Sequence, residues 1–247
     1  MSATPSPFLA ILLAALLAEL GAAGQAFEGR INASVLQGRQ ATPLLYTAGT
    51  NLLRIEVATN QPNTVDIVEL QTAALTLLFP QNSSFVRLKA ADEDPGKLAL
   101  PPGADRAYPT APGVPPVPAM PMMPRPGEKL DLKKTGEETN ILGLACARYE
   151  IKQRGETLEV WATQQLFPYQ PYVQGQTPRF GPARFEERWP RLLAARKLFP
   201  LLATLRNSNG KEHFRFEVQS ITPEKLTDAA KLFQPPPGYV EVRPLPF

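Results

Sequence analysis

Few residues in this chain could carry covalent chemistry. There is one cysteine, Cys146, and one histidine, His213. A thiol and an imidazole form the smallest nucleophile and base arrangement, in which the imidazole takes the thiol proton. Their surroundings point elsewhere. Cys146 lies between Ala145 and Ala147, a setting suited to burial as a small apolar residue. His213 follows Lys211 and Glu212 beside the Asn209-Gly210 turn, where a solvated hairpin histidine is expected. One Cys and one His exclude a zinc finger, a Cys-His cluster and an intrachain disulfide. Asp92, Glu93 and Asp94 have the chemistry of glycosidic acid–base pairs, but they stand at the mouth of a proline-rich stretch and read as a solvated charge cluster. Met120-Pro121-Met122-Met123 offers soft thioethers of the kind that select Cu(I). Three sulfurs in so short a run are read as incidental. No G-x-S-x-G elbow, Walker A loop or H-E-x-x-H helix occurs. No catalytic, cofactor-binding or metal-binding residue is assigned, and the expectation is a protein that is not an enzyme.

What remains is apolar surface arranged by strands. From Phe27 to Ala90, short alternating runs are separated by turn residues, the pattern of half-buried strands. Side chains alternate across a strand, so Leu53, Ile55 and Val57 share a face opposite Arg54 and Glu56. Leu75, Leu77 and Phe79 form a second such set. Further strands are predicted at Lys129 to Lys134, Ala147 to Gln153 and Thr157 to Gln164, with Leu158 and Val160 on one face and Trp161 on the other. A hairpin around Asn209-Gly210 carries Phe214, Phe216 and Val218 on one side and Arg215 and Glu217 on the other. Phe185, Trp189, Leu192 and Leu193 fall at helical spacing and make one apolar stripe, with Pro190 breaking or shortening the helix. Residues Thr222 to Phe233 are read as a short helical or extended segment, and Pro235-Pro236-Pro237-Gly238-Tyr239 as the end of regular structure. The fold class is therefore mainly β with some α: nine to eleven antiparallel strands in one curved sheet, with one or two helices covering an apolar face.

The rest of the chain sorts by composition. Phe8 to Ala18 is an apolar run of 11 residues, too short to span a bilayer. Followed by the small-residue site Gly24-Gln25-Ala26, it reads as a secretory signal occupying residues 1–26. Export to the periplasm or beyond is expected, with no transmembrane span in the mature chain. Residues 91–127 hold 11 of the 28 prolines and read as a flexible insertion between two halves of the sheet, 27–90 and 128–247. Pro118-x-x-Pro121-x-x-Pro124 within it would suit a polyproline-binding groove on an envelope partner. Charge is mixed: 26 basic against 23 acidic residues, net +3. No cationic stripe is present, so nucleic-acid binding is not expected. The terminal Phe247 is preceded by Pro246 and Pro244, which oppose a lipid-facing barrel strand.

Lys134-Thr135-Gly136, the run Ile141 to Tyr149, Glu159-Val160-Trp161 and the close Leu232-Phe233-Gln234-Pro235-Pro236-Pro237-Gly238-Tyr239 together resemble an exported bacterial family catalogued as a domain of unknown function. That family is similar to the LolA-like lipoprotein carriers. The resemblance implies a half-open β-barrel whose concave apolar face is covered by helices and receives acyl chains. Leu53, Ile55, Val57, Leu75, Leu77, Phe79, Leu158, Val160, Phe185, Trp189, Leu192, Phe214, Phe216 and Val218 are the candidate cavity or core residues. The expected function is binding of a hydrophobic ligand, a lipid or an acylated peptide or lipoprotein. The alternative is an envelope interaction module working through residues 91–127.

Overall fold

The computed structural model describes residues 27–59, 61–88, 130–172 and 185–242, with the side chains of 185–187 and Ala230 outside that set. The expected signal at residues 1–26, the proline-rich residues 91–127 with their acidic and methionine clusters, and the terminal Phe247 lie outside the described residues.

Among the described residues, twelve strands form one open, curved sheet, antiparallel throughout except at β12. They are β1 (Gly29–Gln37), β2 (Gln40–Ala48), β3 (Leu52–Val57), β4 (Val65–Glu69), β5 (Leu75–Phe79), β6 (Ser84–Leu88), β7 (Lys133–Ile141), β8 (Leu144–Gln153), β9 (Glu156–Thr163), β10 (Phe199–Arg206), β11 (Glu212–Pro223) and β12 (Val240–Glu241). Their order across the sheet is β12-β6-β5-β4-β3-β2-β1-β11-β10-β9-β8-β7. Two meanders, β1 to β6 and β7 to β11, are thus joined where β1 pairs with β11. The seam is tight. Gly29, with φ 148°, lies where a Cβ would come within 2.3 Å of the Thr222 carbonyl oxygen, and only glycine accepts both the conformation and the approach.

Helix α1 (Phe185–Ala195) lies on the inner face of the sheet and buries Trp189 and Leu193. It runs through Pro190 without interruption, although proline supplies no N–H to the carbonyl of residue 186. Trp189 and Leu193 are buried in the inner core, and that burial offsets the missing bond. A second, four-residue helix, α2 (Ala229–Leu232), belongs to the C-terminal segment.

Beside the unbroken helix at Pro190 and a twelfth strand where nine to eleven were expected, three further features depart from expectation. First, the strand expected at Lys129 to Lys134 is shared only at Lys133 and Lys134: residues 130–132 are not strand, and β7 continues to Ile141. Its sequence KKTGEETNI has no apolar alternation, because eight of its nine residues are exposed. Second, the chain does not end regular structure at the proline run. Residues 240–241 add β12 in parallel to β6, with the Val240 and Val242 amides donating to the carbonyls of Ser83 and Phe85 at 2.9 Å each. Third, the sheet has two apolar faces where one was expected. A large core on the inner face gathers residues of β1 to β4 and β8 to β11 with Trp189 and Leu193. A smaller core of Val65, Ile67, Leu78 and Phe85 lies on the outer face under Leu226 and Phe233. This is why Leu78, and not Leu75, Leu77 or Phe79, is the most buried residue of β5.

Candidate functional site

Strand pairing sets one transverse row on the inner face. Ile31 opposes Tyr46, Tyr46 opposes Ile55, Ile55 opposes Asp66, Asp66 opposes Leu77 and Leu77 opposes Val86. Directly opposed residues share a face, so this row reads the character of the inner surface from centre to edge. It passes from apolar and filled, through a buried carboxylate, to apolar and half-exposed.

The central part is filled by rings. Tyr169 stacks on Trp189 with centroids 5.3 Å apart and planes at 18°. Trp189 meets Phe214 edge-on at 5.9 Å, Phe167 meets Phe199 edge-on at 4.9 Å, and Tyr169 meets Phe216 at 5.4 Å. Such offset and edge-to-face pairs add to the burial of their area. Leu53, Ile55, Leu158, Val160, Phe214, Phe216 and Val218 are buried in this knot, and Val57, Leu75 and Leu192 pack at its margin. Phe185 begins α1, and its side chain lies outside the described residues.

A polar seam follows. Asp66 and Thr64 are both fully buried, and the Tyr172 hydroxyl donates to the Thr64 carbonyl at 2.8 Å. Burial, with the Asp66 and Glu56 carboxylates nearby, pushes the Tyr172 phenol up to about 12. Burial also raises Tyr169 and raises Tyr46 well above the ordinary phenol value, helped by Tyr169 and Asp66. Among the described residues, the Tyr46 hydroxyl makes no hydrogen bond of good geometry, and neither does the Trp189 indole N–H.

Beyond the seam lies the open part. Leu77, Phe79, Val86 and Leu88 are half-buried and belong to neither core. Leu75 faces Leu88 and Leu77 faces Val86 across β5 and β6, so these side chains form a contiguous apolar patch. Among the described residues, neither Cys146 nor His213 belongs to it. Cys146 is buried on β8, where burial raises its thiol. It opposes Thr139 near the β7–β8 turn, whereas His213 sits 3.3 Å from Glu156 at the other end of the sheet. The outer face of β8 and β9 is polar, with Arg148 bridging Glu137 at 2.6 Å and Glu159 at 2.8 Å.

Tyr46, Asp66, Tyr169 and Tyr172 were not among the residues singled out from sequence. The available signal was Val65-Asp66-Ile67-Val68, in which a carboxylate takes an apolar-face position in phase with Val68.

The architecture is that of a mainly β protein with an open, curved antiparallel sheet and a helix on its inner face. Residues 119–239 match a family described as a domain of unknown function (DUF4412), so the resemblance read from the sequence holds. No curated protein sequence matches the chain. Among solved structures the chain is similar to PNGF-II, at 14% identity and a TM-score of 0.46 over 89% of this chain and 31% of that one. It thus spans about a third of PNGF-II's length. It is also similar to an uncharacterized conserved protein from Thermus thermophilus, at 12% identity and a TM-score of 0.44 over 88% of this chain and 91% of that one. A third is a putative outer membrane lipoprotein-sorting protein domain from Vibrio parahaemolyticus, at 10% identity and a TM-score of 0.32 over 88% and 94%. No helix among the described residues is long and apolar enough to cross a membrane.

Proposed function

We propose that the chain is an exported, non-enzymatic protein that holds a hydrophobic ligand, a lipid or an acylated peptide, on the inner face of its sheet. The observation that carries this reading is the half-buried apolar patch of Leu75, Leu77, Phe79, Val86 and Leu88. It adjoins a filled core, while the opposite face of the same two strands is covered by the chain's own C-terminal segment. Apolar surface bordered by a few buried polar groups is the usual composition of a ligand site. The signal-like residues 1–26 support export. The site proposed is smaller than the whole face first considered, because aromatic side chains occupy the region between the central strands and α1.

Lipid extraction and mass spectrometry of the protein purified from its native envelope, beside L77D purified in the same way, tests the reading. The native protein carries lipid in near-stoichiometric amount and L77D, with its fold intact by circular dichroism, carries little. Equal lipid content in both proteins places the ligand elsewhere, and none in either overturns the reading.

A further inference from the structure

Residues 224–242 leave β11 at the centre of the sheet and cross its outer face to the far edge at β6. Besides the backbone pairing of β12 with β6, side chains hold the crossing at four points. Arg30 pairs with Glu224 at 3.0 Å, and the Leu226 amide donates to the Glu28 carboxylate at 2.9 Å. Arg54 donates to the Leu232 carbonyl at 3.1 Å, and Arg87 pairs with Glu241 at 2.8 Å. Between these points Leu226 and Phe233 cover Val65, Ile67, Leu78 and Phe85. The residues under this strap alternate along β4, β5 and β6 with those of the inner face: Leu78 points to the strap and Leu77 to the open patch. Strands of five residues with one edge ending at a two-residue partner form a marginal unit, and the strap supplies much of what orders them.

We infer that docking of the strap on the outer face controls ligand binding on the inner face. This rests on the ligand reading above and adds its regulation. With the strap down, β5 and β6 form a fixed floor. With it released, Leu78 and Phe85 lose their cover, β6 loses β12, and the floor loses its shape. Coupling of this kind is reciprocal, so a ligand bound inside holds the strap down outside.

The structure supplies a gentle way to lift the strap. Gly49, in the β2–β3 turn, lies against the Phe233 ring, and a Cβ placed there would meet ring carbons at 2.9 and 3.3 Å with no other atom closer than 3.7 Å. G49A therefore displaces Phe233 and leaves the turn otherwise unobstructed; F233A removes the anchor itself. The full-length chain and both variants are followed by amide exchange and by titration with the apolar dye N-phenylnaphthylamine. Strap release in either variant is expected to speed exchange across residues 75–79 and 84–88 and to weaken dye binding, each by about tenfold or more, and saturating dye is expected to slow exchange of residues 226–242 in the wild type. Fast strap exchange with unchanged exchange in β5 and β6 and unchanged dye affinity overturns the inference. Absence of dye binding by the wild type counts against the ligand reading, while the exchange of β5 and β6 still reports on the strap.

Discussion

Trp189 offers the sharpest quantitative test of how the inner core is built. It is 1% exposed, stacks on Tyr169 and meets Phe214 edge-on, yet its indole N–H has no hydrogen-bond partner among the described residues. These facts pull in opposite directions. Truncation to alanine removes a large buried side chain and both ring contacts, for a loss of about 3–5 kcal/mol. Replacement by phenylalanine keeps a ring against Tyr169 and Phe214 and removes the unsatisfied donor, whose burial costs about 1–3 kcal/mol. The void left by the smaller ring, roughly 40 Å³, costs about 1 kcal/mol. W189F is therefore expected within about 1 kcal/mol of the wild type, and W189A several kcal/mol below it. Urea unfolding followed by far-ultraviolet circular dichroism measures both without relying on the altered fluorophore. If W189F loses as much as W189A, the N–H is paired in the folded protein and the reasoning is refuted.

Two further outcomes are expected. G29A places a methyl group against the Thr222 carbonyl at the junction of the two meanders, and should lower stability by about 3 kcal/mol or more or prevent folding, as read by the urea midpoint. The neutral Tyr172 phenol is favoured in the folded state, since burial raises it from the ordinary value of 10 to about 12. The stability it contributes is complete below pH 10 and is lost as pH rises through about 12. Alkaline titration by tyrosinate absorbance should show a late-ionising component to which Tyr46 and Tyr169 also contribute, smaller by one tyrosine in Y172F, and an unchanged amplitude in Y172F would show that Tyr172 is not part of it.

The fold was legible where one face of a strand meets solvent. Arg54 and Glu56 are paired on the outer face at 2.8 Å, and their alternation with Leu53 and Ile55 identified β3 directly; Arg215 and Glu217 did the same for β11. Strand β7 escaped because a strand exposed on both sides has no hydrophobic period to read. In β5 the run Leu75-Thr76-Leu77-Leu78-Phe79 is apolar in either phase. What selects Leu78 as the deepest residue is a segment beginning some 150 positions later in the chain, so no local window contains the answer. Phe167 and Tyr169 lie between β9 and α1 in a stretch without a period, and only the assembled sheet shows that they fill its centre. The open patch was legible as a set of apolar residues on one face. Its limits were not, because they depend on which parts of that face other segments cover.

Strand β7 also bears on how the protein behaves when crowded. An open sheet offers its last strand as a template on which a neighbour can polymerise. Here that strand departs from regular pairing between Lys134 and Glu138, carries Lys133, Lys134, Glu137 and Glu138, and turns through Gly136 at φ 87°. An incoming strand would meet a break in register and charges of both signs within a few residues, so templated growth along this border is disfavoured at concentrations where a flat, apolar border would seed fibrils.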